Sequence, residues 1–137
     1  MAITQTTCTS FKQEQYLAIH DFSTDVLKIA LYLSTATLNA DTTVYATTNE
    51  ITGAGYTAGG NTLTGVTVNT SGTTAYVDFA DPSWSGALTA RGALIYNSSK
   101  SDKAIAVLDF GADKTSVNTF IVQMPANDST NAILRTV

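Results

Sequence analysis

Residues that could carry out chemistry are few in this chain, and the first of them is His20. It is the only histidine, and Asp21 follows it directly. A hydrolytic triad would require a serine or cysteine nucleophile beside this pair, but no serine lies in a G-x-S-x-G context. A histidine that makes a local hydrogen bond at a helix end is the simpler interpretation. The sequence therefore predicts no enzymatic activity.

Aspartates recur where predicted strands end, and their oxygens could bind calcium if several converged on one point. The four are Asp78, Asp81, Asp109 and Asp113. Neither D-F-A-D nor D-F-G-A-D matches an EF-hand loop, and aspartate at strand ends more often caps turns. The single Cys8 excludes an intramolecular disulfide and an all-cysteine metal site. We predict neither a bound metal nor a cofactor.

Aromatic and hydroxyl side chains are the candidates for contacts with a partner. Trp84, beside Pro82 in a predicted turn, is either a partly buried plug between sheets or an exposed stacking platform or interface anchor. Tyrosines in the long polar loop are predicted surface contacts, and threonines of the N-terminal segment could extend to a neighbour. The candidate interface residues are Thr4, Thr6, Tyr45, Tyr56 and Trp84.

The composition is polar without being highly charged. Only 13% of the residues are charged, about half the usual share, and the net charge is −4. The chain has 24 threonines, whose β-branched side chains suit the solvent face of a strand. Low charge weakens repulsion between copies, so the composition fits packed assembly as well as an ordinary threonine-rich β-protein. The seven lysines and arginines are scattered, which predicts no binding to nucleic acid.

Apolar–polar alternation predicts the elements that must position these residues. In TTAYVDFA (73–80), apolar residues alternate with Tyr76 and Asp78, as in a half-buried strand. VLKIALYL (26–33) is apolar on both faces, which predicts a central or covered strand. Further strands are predicted at 62–69 (with a bulge at Gly65), 88–96, 103–110, 118–124 and 132–137, with a short piece near 43–46. About seven strands joined by turns suit an all-β fold, an antiparallel β-sandwich or jelly-roll-like domain.

One short N-terminal helix is predicted over residues 10–20. Ser10 and Gln13 have the spacing of a capping box, in which each side chain satisfies a free backbone N–H. The apolar side chains expected to lie against the sheet are Phe11, Leu17 and Ala18.

Two polar segments are predicted to gain order only from neighbours. Residues 1–9 form an extended N-terminal arm in this prediction, and residues 10–137 form a single β-domain. The loop 34–60 is predicted to be mobile in isolation, since few apolar side chains offset the entropy of ordering it. We expect the arm to reach an adjacent chain and the loop to contact a partner or a sister copy.

The sequence also bears on targeting. MAITQTTCTS lacks the charged n-region and apolar core of a signal peptide, and no apolar run approaches the roughly 20 residues of a membrane span. We therefore expect synthesis in the host cytoplasm, no contact with a membrane, and release only as part of a larger assembly.

Six segments resemble, in order and spacing, a family of small bacteriophage virion structural proteins. They are HDFSTDVLKIALY (20–32), GYTAGG (55–60), AYVDFADPSW (75–84), ARGALIYN (90–97), AVLDFGADK (106–114) and PANDSTNAILR (125–135). The resemblance covers nearly everything from Phe11 onward and implies a structural role in the virion. It carries over no catalytic residue.

The resemblance leaves several virion roles open. We expect a capsid decoration (cement) protein that binds and stabilises the major capsid protein lattice as a homo-oligomer, with trimers at lattice threefolds favoured. A neck or tail component is the alternative within the structural class. A glycan-binding adhesion module, with Trp84 and the loop tyrosines as stacking platforms, is the alternative from another class.

Overall fold

Ten β-strands and one α-helix make up the computed structural model, which describes residues 2–136. In chain order they are β1 (Thr6–Thr7), α1 (Thr9–Tyr16), β2 (Leu27–Tyr32), β3 (Asn61–Thr62), β4 (Thr67–Ser71), β5 (Thr74–Asp78), β6 (Ser83–Ser85), β7 (Thr89–Asn97), β8 (Lys103–Thr115), β9 (Thr119–Ile121) and β10 (Leu134–Thr136). Strands hold 41% of the residues and the helix 6%. The predicted all-β, antiparallel, sandwich-like class with one short N-terminal helix is confirmed.

The largest sheet has the strand order β1-β8-β7-β2-β3. Its middle strands are apolar on both faces, and a strand of this kind buries both faces only when it is covered on both sides. In β2 every residue is buried except the half-buried Lys28, as the sequence predicted. In β7 the run from Gly92 to Asn97 is buried throughout.

Two smaller sheets complete the domain, with the orders β10-β5-β4 and β6-β9. The buried side chains of these short strands belong to the same hydrophobic core as the largest sheet, among them Trp84, Phe120 and Leu134. One core therefore joins the three sheets. Within residues 2–136, no helix has the length and apolarity needed to cross a membrane.

The helix differs from its prediction at both ends. It begins at Thr9 with Cys8 as the N-cap residue, and no side chain caps it, so the predicted capping box is wrong. Phe11 is buried against the core, but Leu17 is 62% exposed and lies beyond the helix. Ala18, also predicted to lie against the sheet, is exposed and adopts a left-handed conformation (φ 56°), which is typical of a helix end and stops the helix earlier than predicted.

The N-terminal residues do not form the separate arm that the sequence predicted. Thr6–Thr7 pairs with β8, and Ile3 forms a bridge with Leu38. Ile3 and Cys8 are both buried in the core. These two apolar side chains anchor the segment to its own domain, which is the reason that the prediction of an arm extended toward another chain fails here.

The predicted strand 62–69 is in fact two strands in different sheets. β3 pairs with β2, whereas β4 pairs with β5. The chain changes sheet near Gly65, which has φ +62° and lies so close to Ala80 that a Cβ atom would meet the Ala80 Cβ at 3.0 Å. Leu63 is buried, but Val68 is 60% exposed, so the apolar residues of this run do not share one buried face.

Strand β8 contains a large bulge. Between the pairs Ala90–Lys114 and Gly92–Asp109, four residues of β8 lie opposite one residue of β7. Gly111 within the bulge has φ +81°, a conformation that favours glycine. The D-F-G-A-D motif therefore shapes a strand edge, as a β-bulge does when it bends one strand away from its partner.

Candidate functional site

His20 lies in an internal hydrogen-bonded network. Its side chain is 1% exposed, and its Nε2 lies 2.8 Å from Oε1 of Glu14. Its Nδ1 lies 2.9 Å from the amide nitrogen of Asn97. Because an amide nitrogen only donates, Nδ1 must accept and Nε2–H must donate to Glu14. Both ring nitrogens are thus occupied, in agreement with the interpretation of His20 as a locally bonded histidine.

Asn97 passes this network on to Asp25. The buried Asn97 amide nitrogen donates to Asp25 Oδ2 at 2.7 Å, and its carbonyl oxygen accepts from the Ser99 N–H at 3.0 Å. Lys100 Nζ lies 2.7 and 2.9 Å from the two carboxylate oxygens of Asp25. Desolvation raises the pKa of Asp25, but hydrogen bonds from the Asp21 N–H, Lys100 and Asn97 outweigh it and lower the pKa to about 2. The network ties the end of α1 to the β7–β8 turn.

Cys8, the other possible nucleophile, is fully buried at the start of α1. Burial, together with the negative charge of Glu14, raises the pKa of its thiol to about 11. The thiolate is the nucleophilic form of cysteine, and the raised pKa disfavours that form at neutral pH.

A second network, around Glu50, was not anticipated from the sequence. Glu50 is 8% exposed, and its carboxylate accepts hydrogen bonds from the hydroxyls of Tyr45 (2.6 Å) and Tyr56 (2.5 Å) and from the N–H of Gly59 (2.9 Å). No lysine or arginine in residues 2–136 forms an ion pair with it. A buried carboxylate requires hydrogen-bond donors, and here two tyrosines and one backbone group supply them.

Further tyrosines surround this carboxylate. The ring of Tyr45 stacks on that of Tyr96 with 4.6 Å between centroids, and the Tyr96 hydroxyl donates to the Gly59 carbonyl at 2.6 Å. Tyr32 donates to the Ala46 carbonyl at 2.6 Å. Burial, followed by the interaction with Glu50, raises the pKa of Tyr45. Desolvation, with nearby acidic groups, raises the pKa of Tyr96 to about 12.

These contacts attach the loop 34–60 to the domain, contrary to the prediction that it has too little to order itself. The hydroxyls of Tyr45 and Tyr56 face the interior, so neither tyrosine presents its polar end to a partner as the sequence suggested. The sequence does carry one signal for this network. Glu50 is the only charged residue between Asp41 and Asp78, and such isolation can mark a carboxylate with an internal role.

Trp84 is 3% exposed and belongs to β6, where a turn was predicted. Its ring packs against Tyr56 and Phe120, with centroids 6.1 and 6.3 Å away. It is therefore the plug between sheets that the sequence offered as one interpretation, and it has no surface for an outside partner. Of the other predicted interface residues, Thr6 is half-buried in β1 and Thr4 is exposed.

Two of the four aspartates considered for calcium accept hydrogen bonds from separate parts of the chain. Asp109 accepts hydrogen bonds from the Gly111 N–H (2.9 Å) and from Arg91 (3.1 Å), and Asp81 accepts one from the Met124 N–H (2.7 Å). Across residues 2–136, no group of three or more histidine, cysteine, aspartate or glutamate side chains is placed to hold a metal ion.

The candidate functional site is a surface formed by the β4–β5 hairpin. The hairpin closes through the two-residue turn Gly72–Thr73, with Gly72 at φ +59°. It spans Thr67–Asp78, and Asp78 at the end of β5 is its one charged residue. Four of the five β4 residues are exposed, and Val68 is 60% exposed. β4 and the turn thus offer an uncharged surface of hydroxyls, amides and small apolar groups.

The hairpin also leaves backbone groups free. β4 is the terminal strand of its sheet, and no other segment of the described chain pairs with its outer edge. A strand edge of this kind can accept a further strand from another chain. Together with the lack of charge, this makes β4 the part of the surface best suited to contact another protein.

No family model, curated protein or solved structure matches this chain.

Proposed function

We propose that this chain is a structural protein of a bacteriophage virion, and specifically a capsid cement protein. It would bind the outer surface of the major capsid protein lattice and stabilise the lattice by bridging its subunits. Each contact is modest, and repetition over a symmetric lattice makes the binding strong through avidity. The role needs no catalytic step, metal or cofactor.

The exposed β4–β5 hairpin, whose one charged residue is Asp78 at its end, carries this proposal. Ionised groups are costly to desolvate, and the buried centre of a protein interface is depleted of them. A segment of 27 consecutive residues without charge, 51–77, ends in strands that lie at the surface. Another subunit can cover the uncharged part of this surface without burying an unpaired charged group.

The two internal networks support the same proposal. His20 and Glu50 are the side chains best suited to acid–base chemistry, and both have their polar atoms occupied by neighbours within the domain. These groups hold α1 and the loop 34–60 in place, so their function in this proposal is to keep the domain rigid.

The bacteriophage assignment draws its support from the six sequence segments that resemble virion structural proteins. In this proposal the partner is the major capsid protein, the chain is homo-oligomeric on the lattice, and its location is the virion. A neck or tail component would use the same surface at far fewer copies, so copy number separates the two structural roles.

A glycan-binding role has less support. Sugar stacking requires an exposed aromatic face, yet Trp84 is buried and the hydroxyls of Tyr45 and Tyr56 bind Glu50. Of the aromatic residues that suggested this alternative, Trp84 is therefore interior, and the two tyrosines are half-buried with their hydroxyls turned inward.

Gel densitometry of purified particles of the encoding phage tests the proposal. We expect hundreds of copies per particle, in a fixed ratio to the major capsid protein, and retention of the purified chain on capsids that lack it. A dozen copies or fewer would assign the chain to the neck or tail. Absence from the particles would overturn the virion role altogether.

A further inference from the structure

We infer that two copies of this chain join edge to edge through β4, antiparallel about a two-fold axis that passes beside Asn69. The inference rests on the proposed structural function and names how copies contact one another. It would fuse the sheet β10-β5-β4 with its symmetry mate into one six-stranded sheet. In an arrangement of trimers, this two-fold contact would link neighbouring trimers.

The first argument is that β4 is an unprotected edge. It has five residues, whereas the other terminal strands, β1, β3, β6, β9 and β10, have two or three. Soluble proteins usually guard long edges with charged side chains, proline or bulges. β4 reads T-V-N-T-S and has none of these, and its register with β5 is regular from Thr67 to Ser71.

The outer edge of β8 shows the contrast within the same molecule. Beyond its short pairing with β1, β8 carries Asp109, Asp113 and Lys114. It also contains the large bulge described above, with Gly111 at φ +81°. Charged side chains and bulges both hinder the addition of a further strand. The edge of β8 has both features, and the edge of β4 has neither.

The second argument is the position of the free backbone groups. In a hairpin with a two-residue turn, the flanking pair Ser71–Thr74 is hydrogen-bonded, and hydrogen-bonded and non-bonded pairs then alternate. Asn69 therefore bonds toward β5, whereas Val68 and Thr70 direct their N–H and C=O groups to the open edge. These two residues lie symmetrically around Asn69.

That symmetry favours a second copy as the partner. When two β4 strands meet antiparallel with Asn69 opposite Asn69, each Val68 lies opposite a Thr70, and both residues present free groups. The register thus forms two hydrogen-bonded pairs around a central non-bonded pair. Because the two strands are identical, each makes the same hydrogen bonds to the other, as an isologous two-fold contact requires.

The third argument is electrostatic. Each copy has a net charge of −4, so two copies repel one another over most orientations. β4 carries no charged residue, and Asp78, the one charged residue of the hairpin, lies on β5 opposite Thr67, on the side of β4 away from the open edge. Pairing through β4 therefore keeps acidic side chains off the two contacting strands.

Disulfide trapping tests the register directly. In the proposed pairing the two Asn69 Cα atoms form a non-hydrogen-bonded pair about 4.5 Å apart, a separation that a disulfide can bridge. We expect Asn69→Cys to oxidise mainly to a covalent dimer, both at high concentration in solution and on particles. Cys8 is fully buried and should leave the unmodified chain monomeric on non-reducing gels.

Ala75→Cys is the matched control, because Ala75 is exposed on the same hairpin but lies on β5, away from the open edge. It should remain mainly monomeric under the same oxidant. A mixture of Val68→Cys and Thr70→Cys should give the mixed dimer in preference to either self-dimer. Equal trapping of Asn69→Cys and Ala75→Cys would mean random collision and would overturn the inference.

The two proposals fail in distinguishable ways. If the chain is abundant on particles but Asn69→Cys is trapped no better than Ala75→Cys, the virion role stands and the β4 pairing is wrong. If the chain is absent from particles but Asn69→Cys dimerises in solution, the β4 pairing stands and the virion role is wrong. Val68→Lys should abolish trapping at position 69, whereas Ala75→Lys, with the same added charge, should not.

Discussion

At the scale of single residues, Glu50 shows how a polar loop becomes ordered without a large apolar core of its own. Its carboxylate accepts three hydrogen bonds and has no cationic partner in the described chain. Hydrogen bonds to a charged group are among the stronger ones. Each donor to Glu50 comes from the long loop itself, so one side chain gathers distant parts of that loop.

Removing this carboxylate should be costly. Glu50→Ala leaves two tyrosine hydroxyls and the Gly59 N–H without their acceptor, and we expect a loss of about 2–4 kcal/mol in the free energy of unfolding. Urea denaturation monitored by circular dichroism measures it. Tyr45→Phe, which removes one donor, should cost about 1 kcal/mol.

Thr48→Ala is the control for this prediction, since Thr48 is an exposed residue of the same loop. We expect it to change stability by less than about 0.5 kcal/mol, as for most surface substitutions. If Glu50→Ala were equally mild, the network would contribute little and the loop would be held by its buried apolar residues alone.

At the scale of elements, the N-terminal segment and α1 belong to the fold. β1 is only two residues long, yet it covers part of the outer edge of β8. Ile3 and Cys8 on either side of it are buried. Short edge strands of this kind are stabilised by the side chains packed beside them more than by their few ladder hydrogen bonds.

Deleting residues 2–9 should therefore destabilise the isolated domain. The deletion removes two buried side chains and uncovers β8, and we expect a loss of at least about 3 kcal/mol. Ile3→Ala alone should cost about 2 kcal/mol or more, whereas Thr4→Ala, at an exposed position, should be nearly neutral. Thermal and urea unfolding check this. If the truncated domain were as stable as the full chain, residues 2–9 would be a dispensable arm.

At the scale of the whole molecule, charge is distributed unevenly along the chain. The charged residues lie before residue 51 or after residue 77, so β4 and the turn that follows it have none. The open edge of β4 is thus an uncharged strand on an acidic protein. Contacts made through that edge should respond little to salt, since screening acts on ion pairs and on like-charge repulsion.

The yield of trapped Asn69→Cys dimer should accordingly change by less than about twofold between about 0.1 M and about 1 M sodium chloride, a range over which the screening length falls from about 10 to 3 Å. Ala75→Lys in the same Asn69→Cys background places a charge near but not on the contact, and its trapping should rise with salt. A steep fall in the yield for the unaltered surface would reveal ion pairs in the contact.

Much of the fold follows from local pattern alone. The strand 26–33 was predicted because its apolar residues fill both faces, and the strands 88–96 and 103–110 because they are strand-like runs separated by turn residues. The single short helix was predicted from a local run of helix-forming residues, and the antiparallel class from the short turns between strands. Local pattern marked Gly65, where the alternation shifts by one residue, but it did not distinguish a bulge within one strand from a change of sheet, because both produce the same shift.

Tertiary structure decided which polar residues face inward. The isolation of Glu50 from other charged residues does not by itself bury it, since its burial depends on Tyr45, Tyr56 and Gly59 converging when the loop folds back on β2. Trp84 is likewise buried by β9, some 35 residues later in the chain. A sequence pattern records the preferences of neighbours along the chain, whereas burial of a polar group depends on partners that only the folded chain brings within hydrogen-bonding distance.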